Sequence, residues 1–136
     1  MLKIYCDGAC SGNPGPGAWG YVVFENGVQI AHAYGIETDT TNNRMELVAT
    51  IKALEGFNDC NIIVDSRYVK DGITNWIIKW KKNGWKTSSG KVKNVDLWEQ
   101  LDELCASRNI KWDWEKGHAN NTHDCVDILV RSAVLK

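Results

Sequence analysis

The sequence predicts an α/β fold, a mixed β-sheet covered by helices, and three features of its 136 residues point there. Two β-rich segments, 19–24 and 28–34, are separated by Glu25-Asn26-Gly27, whose Asn-Gly pair is a strong hairpin signal. From Asn43 the apolar residues change from strand to helical spacing. Two later strand-like runs, 61–64 and 110–114, are each preceded by helical segments, so they must be reached by crossovers.

The elements follow in the order β-β-β-α-β-α-α-β-α. Residues 2–7 (LKIYCD) form a short apolar strand, and the turn-rich run GACSGNPGPG after it reads as a loop. The hairpin strands come next. The first helix carries Met45, Val48, Ala49, Lys52 and Ala53 on one side with Leu47, Ile51 and Leu54 beside them, and ends near Gly56. Asn61–Val64 is a compact strand entering Asp65-Ser66. The segment RYVKDGITNWIIKW after it has mixed helical spacing broken at Gly72, which predicts two short helices. Asp96 with Glu99 three residues later is a capping-box pattern ahead of Leu97, Leu101, Leu104 and Cys105, predicting a helix over 97–107. Ile110–Trp114 is the last strand. Val126, Leu129, Val130 and Ala133 predict a C-terminal helix.

The length suits one domain with one core, and no linker, repeat or low-complexity tract divides it. No basic apolar leader precedes the first strand, and the longest apolar runs are far too short to cross a bilayer, so a soluble, cytoplasmic protein is expected. Cys6, Cys10, Cys60, Cys105 and Cys125 are odd in number and contain no C-x-x-C pair, which argues against a disulfide framework or a structural zinc site. Buried free thiols are expected.

The net charge of −1 hides an uneven distribution. Between Asp71 and Asp96 there is no acidic residue, yet Lys79, Lys81, Lys82, Lys86, Lys91 and Lys93 all fall there, interleaved with Trp76, Trp80 and Trp85. Cations and flat aromatic groups suit a sugar-phosphate backbone and its bases. A solvated basic helix with Trp anchors in the core fits the same pattern.

GPGAWG (residues 15–20) matches G-x-G-x-x-G but leads into a strand and contains Pro16, so it is not a dinucleotide fingerprint. Asn13, in the same run, supplies an amide able to donate to a phosphate or hydroxyl. Four acids sit at element ends. Asp7 closes the first strand, where a buried carboxylate is costly unless paired or metal-bound, although it could open an Asx-turn. Glu46 could serve a capping box with Asn43, Asp65 could be an N-cap, and Asp127 could pair with Arg131. Together they suggest something else: clustered carboxylates repel one another unless a hard cation such as Mg²⁺ joins them. His118 lies in a polar loop where an imidazole can exchange protons with solvent. His118, His123 and Cys125 lack a zinc spacing, and no G-x-S-x-G element is present.

The blocks YCDGACSGNPGPGAWGYV, TTNNRMELVATIKAL, VDSRYV, WKKNGWKTSSGKVKNVDLW and EKGHANNTHDCVDILV, in this order, resemble those of a type 1 ribonuclease H of the bacterial kind over nearly the whole chain. The resemblance implies one domain over 1–136 with a basic protrusion at about 76–95, and a five-stranded sheet of three antiparallel strands followed by two parallel ones. It implies endonucleolytic cleavage of the RNA strand of RNA/DNA hybrids with two Mg²⁺ ions, Mn²⁺ substituting, leaving 5′-phosphate and 3′-hydroxyl ends. A monomer is expected. The family's metal-binding acids fall on Asp7, Glu46, Asp65 and Asp127, and its mobile histidine on His118. Cys10, Asn13, Thr41, Asn42, Asn43, Ser66 and Arg67 would lie along the minor groove of the hybrid. Trp76, Trp80, Lys81, Lys82, Trp85 and Lys86 would grip the DNA strand. The chain departs from the pattern after His118, where the approach to Asp127 is one residue short and His123-Asp124 replaces the usual Asn-Glu. That makes Asp124 a rival fourth ligand. Arg67 stands where Gln is common.

Overall fold

The structure, a computed structural model, describes residues 1–116. Its first three strands are β1 (Leu2–Cys10), β2 (Gly15–Glu25) and β3 (Val28–Thr40). The β2–β3 turn is the one Asn-Gly predicts: Asn26 and Gly27 have φ of 51° and 81°, the doubly positive arrangement whose twist matches a hairpin. All three strands outrun expectation. Gly8, Ala9 and Cys10 pair with Trp19, Ala18 and Gly17, so most of the glycine- and proline-rich run is paired strand and only 11–14 turn. Ladder pairing overrides composition here. Pro16, which has no N–H to give, falls within a register shift between β2 and β3.

Helix α1 (Asn42–Gly56) crosses to β4 (Cys60–Val64). Helices α2 (Arg67–Asp71) and α3 (Ile77–Lys82) are joined by a π-helical turn, Gly72–Trp76, and not by a break. Gly72 keeps helical angles (φ −62°, ψ −51°), and a Cβ on it would overlap the Trp98 ring, so this glycine serves close packing rather than a stop. A small hairpin, β5 (Lys86–Thr87) with β6 (Gly90–Lys91), precedes helix α4 (Val95–Ala106) and strand β7 (Ile110–Trp114). Helix α4 begins two residues before the capping-box pattern places it. Asn94 takes the cap position, and Asp96, inside the first turn, is occupied by Arg44.

The main sheet has the order β3-β2-β1-β4-β7. β1, β4 and β7 run parallel and β2 and β3 antiparallel, which is the mixed sheet expected. Alternation along each strand divides the core in two. Ile4, Cys6, Val23, Ile62 and Val64 pack against Leu47, Ile51 and Leu54 of α1 and against Leu97, Trp98 and Leu101 of α4. Tyr5, Ala9, Ala18, Val22 and Ile63 cluster on the other face. Cys6, Cys10, Cys60 and Cys105 are free thiols, as expected, with Cys6 and Cys60 fully buried. His118, Asp124, Asp127 and the expected C-terminal helix lie outside the described residues. Among the described residues no helix is long and apolar enough to cross a membrane.

Candidate active site

Parallel pairing of β1 with β4 brings the first two acids together. Cys6 is level with Val64, so the residues that follow, Asp7 inside β1 and Asp65 just past the end of β4, emerge side by side. Glu46 arrives from α1. A Cβ on Gly8 would overlap the backbone of Met45 and Glu46, so only glycine lets the helix approach β1 this closely. The Gly8 N–H then donates to Glu46 Oε1 and fixes the carboxylate.

One ligand oxygen from each of Asp7, Glu46 and Asp65 lies within 4.8 Å of the others, the one such grouping found among the described residues. Burial pushes Glu46 well above the usual carboxylate range, reinforced by the charges of Asp7 and Asp65 and by a hydrogen bond with Asp7, against the opposing Gly8 N–H. Carboxylates packed this closely repel one another when ionised, which makes a poor structural motif and a good cage for a hard cation. All three offer oxygen donors, which Mg²⁺ and Mn²⁺ prefer.

The helix caps explain why these acids are available. Thr41, not Asn43, caps α1, its Oγ1 accepting from Arg44 N–H at 3.3 Å. Ser66, not Asp65, caps α2, its Oγ accepting from Val69 N–H at 3.2 Å. Hydroxyl neighbours thus do the capping that the sequence also allowed the acids to do.

The expected groove residues lie on or next to the elements that carry this cluster. Asn13 Oδ1 accepts from Asn42 N–H at 3.0 Å, which ties the β1–β2 turn to the start of α1 and leaves the amide Nδ2 as the donor. Asn42 and Asn43 are exposed in the first turn. Cys10 Sγ lies 3.4 Å from the carbonyl oxygens of Gly15 and Thr40. Arg67, exposed, pairs with Asp71 at 3.6 Å and lies over the Trp114 ring at 5.0 Å.

In the basic segment, Lys79, Lys81, Lys82, Lys86, Lys91 and Lys93 are all exposed. Lys81 reaches Asp102 at 3.2 Å. Trp80 packs against Trp98 with centroids 5.2 Å apart, and Trp80 and Trp85 are partly buried against the core, whereas Trp76 is exposed. Two of its tryptophans thus anchor the segment and its lysines face solvent, as the reading of a solvated basic segment with Trp anchors requires.

Sequence reasoning passed over Arg44 and Trp114. Arg44 makes a bidentate contact with Asp96, at 2.8 and 3.1 Å, and reaches Asn94 Oδ1 at 3.2 Å. Asn94 Nδ2 and Trp98 Nε1 both donate to the Tyr68 hydroxyl, so the starts of α1, α2 and α4 share one network. Trp114 Nε1 donates to the Asp65 carbonyl at 2.9 Å. Neither contact has a local sequence signal, because each spans about fifty residues.

The family model for RNase H matches residues 1–134. A ribonuclease H of Maricaulis maris is 54% identical over 139 residues, covering 98% of this chain and 93% of the relative. One of Francisella tularensis is 49% identical over 135 residues, covering 96% and 88%. Among solved structures, a type 1 RNase H with the type 2 active-site motif superposes with a TM-score of 0.86 at 31% identity, covering 98% of this chain and 71% of that one. The RNase H1 of Halobacterium salinarum superposes with a TM-score of 0.71 at 28% identity, covering 97% and 96%. Similarity of this extent, carried through sequence and fold alike, shows that the chain belongs to the ribonuclease H family, nucleases that hydrolyse the RNA strand of RNA/DNA hybrids.

Proposed function

We propose that the protein is a cytoplasmic, monomeric endonuclease that cuts the RNA strand of RNA/DNA hybrids through two divalent ions, Mg²⁺ or Mn²⁺, leaving 5′-phosphate and 3′-hydroxyl ends. The observation that carries this reading is the convergence of Asp7, Glu46 and Asp65 within 4.8 Å of one another. When bound there, the ions supply an activated water and neutralise charge on the leaving 3′-oxygen. Asp7, Glu46 and Asp65 hold them, with Asp127 as the fourth ligand in preference to Asp124. Glu46 is kept in place by the Gly8 N–H, and Asp65 stands beside Asp7 just past the end of β4. His118 assists proton transfer or product departure. No protein nucleophile is required.

Strand choice follows from groups around the cluster. Only RNA carries the 2′-hydroxyl, and Asn13, Asn42 and Asn43 offer amides that can read it, with Cys10, Thr41, Ser66 and Arg67 completing the minor-groove contacts. Trp76, Trp80, Lys81, Lys82, Trp85 and Lys86 hold the DNA strand through its backbone and bases, which gives affinity without sequence preference. A solved relative at 21% identity was crystallised with an RNA/DNA hybrid.

Incubating strand-labelled hybrid with the protein and Mg²⁺, against duplex DNA and duplex RNA as competitors, tests the reading. Cleavage confined to the RNA strand, competed poorly by both homoduplexes and ending in 5′-phosphates, is expected. Equal cutting of duplex DNA would instead identify a nuclease of the same fold with another substrate. Separate Asp124→Asn and Asp127→Asn variants decide the fourth ligand: the loss of activity should follow Asp127.

A further inference from the structure

We propose that Trp114 is a positioning residue for Asp65, holding the β4–α2 turn in the geometry that metal binding needs; this rests on the carboxylate cluster being the metal site. Three contacts converge on the turn from the end of β7. The indole Nε1 donates to the Asp65 carbonyl at 2.9 Å. The next residue's backbone, Glu115 N–H, donates to the Val64 carbonyl at 2.9 Å. The Arg67 guanidinium, two residues after Asp65, lies over the Trp114 ring at 5.0 Å. Trp114 and its neighbour Glu115 thus touch the chain on both sides of Asp65 and Ser66.

Packing alone does not account for this tryptophan. Trp114 is 37% exposed and is absent from the core, whereas Trp112, two residues earlier on the same side of β7, packs against it. An exposed indole at a strand end contributes little burial, but its N–H is a rigid donor on a two-torsion side chain. Asp65 sits one residue past the end of β4, where the sheet ladder with β1 has ended at Cys6–Val64. A brace there has a function that the ladder no longer performs. Groups that hold metal ligands from behind typically govern affinity by 10- to 100-fold, because carboxylates displaced by a fraction of an ångström lose the ion.

The test is Mn²⁺ binding by titration calorimetry on Trp114→Phe, beside its kcat and KM on hybrid and its melting temperature without metal. Trp114→Phe keeps a ring for Arg67 and deletes the donor. Expected are roughly tenfold weaker Mn²⁺ binding and a kcat lower by about the same factor, with KM within about twofold. Should the variant fold poorly, 3-benzothienylalanine at position 114 replaces the N–H by sulfur within a ring system of the same shape, and the same loss is expected. Parental Mn²⁺ affinity in a folded variant, even one with a lowered melting temperature, would overturn the proposal and leave Trp114 a structural residue. Asp65→Asn in the same titration separates the two levels of inference. If Asp65→Asn binds Mn²⁺ and cleaves as the parent does, the carboxylate reading itself fails; if it loses both while Trp114→Phe does not, only the role of Trp114 fails.

Discussion

Glu46, the proposed metal ligand, is held at the expense of the fold. Its burial and the neighbouring Asp7 and Asp65 favour the protonated form, so without metal the charge destabilises the native state. Glu46→Gln should therefore keep or raise the metal-free melting temperature while abolishing hybrid cleavage; a marked drop in melting temperature would assign Glu46 a structural role. Gly8→Ala should act in the opposite way. Its new methyl group meets the α1 backbone, and overpacking of this kind costs about 1–3 kcal/mol in urea unfolding. The acids were only partly legible in the sequence. Glu46 and Asp65 each fitted a helix cap, and nothing local showed that Thr41 and Ser66 would take those caps and release them. The metal-ligand reading comes from the resemblance carried by the surrounding motifs, not from spacing.

Among the elements, the α1–α4 link rests on Arg44 and Asp96. The Arg44 guanidinium, by hydrogen bonding, holds the Asp96 carboxyl below its usual range, while Asp96 raises Arg44. A depressed carboxylate contributes stability that is present above its unfolded pKa of about 3.9 and disappears as pH falls through the lower folded value. Arg44→Met should then cost no more than about 1 kcal/mol at neutral pH, since the pair is solvent-screened, and its deficit should be smaller at about pH 2. Denaturant titrations at both pH values check it; an equal deficit at both would show that the contact acts through packing instead. Element type was largely readable from apolar period, but element ends were not. The glycine-rich run after Asp7 looked like a loop and is paired strand, and Gly72 looked like a stop and is a packing point against Trp98. In both cases a partner far along the chain decided the outcome, and local propensity yields to such contacts.

For the molecule as a whole, charge is segregated while the net stays near neutral. Helix α3 and the β5–β6 hairpin expose lysines with no acid in the intervening sequence, whereas the carboxylate cluster is built from β1, the residue after β4 and the first turns of α1. Such an arrangement suits a polyanion that must be gripped in one place and hydrolysed in another. Replacing Lys81, Lys82 and Lys86 by Ala should weaken hybrid binding, leave Mn²⁺ affinity intact and lower the slope of log affinity against log salt by roughly 2–3. An unchanged slope would remove the segment from the interface.

The central claim is that Asp7, Glu46 and Asp65 act as one unit on the RNA strand of a hybrid, and single-turnover cleavage in Mg²⁺ measures it most directly. Asp7→Asn, Glu46→Gln and Asp65→Asn should each lower the rate by about a thousandfold or more, and the Asp7→Asn/Glu46→Gln double variant should fall little further, as groups serving one site are strongly non-additive. A parental rate in any single variant, or losses that multiply in the double, would contradict it.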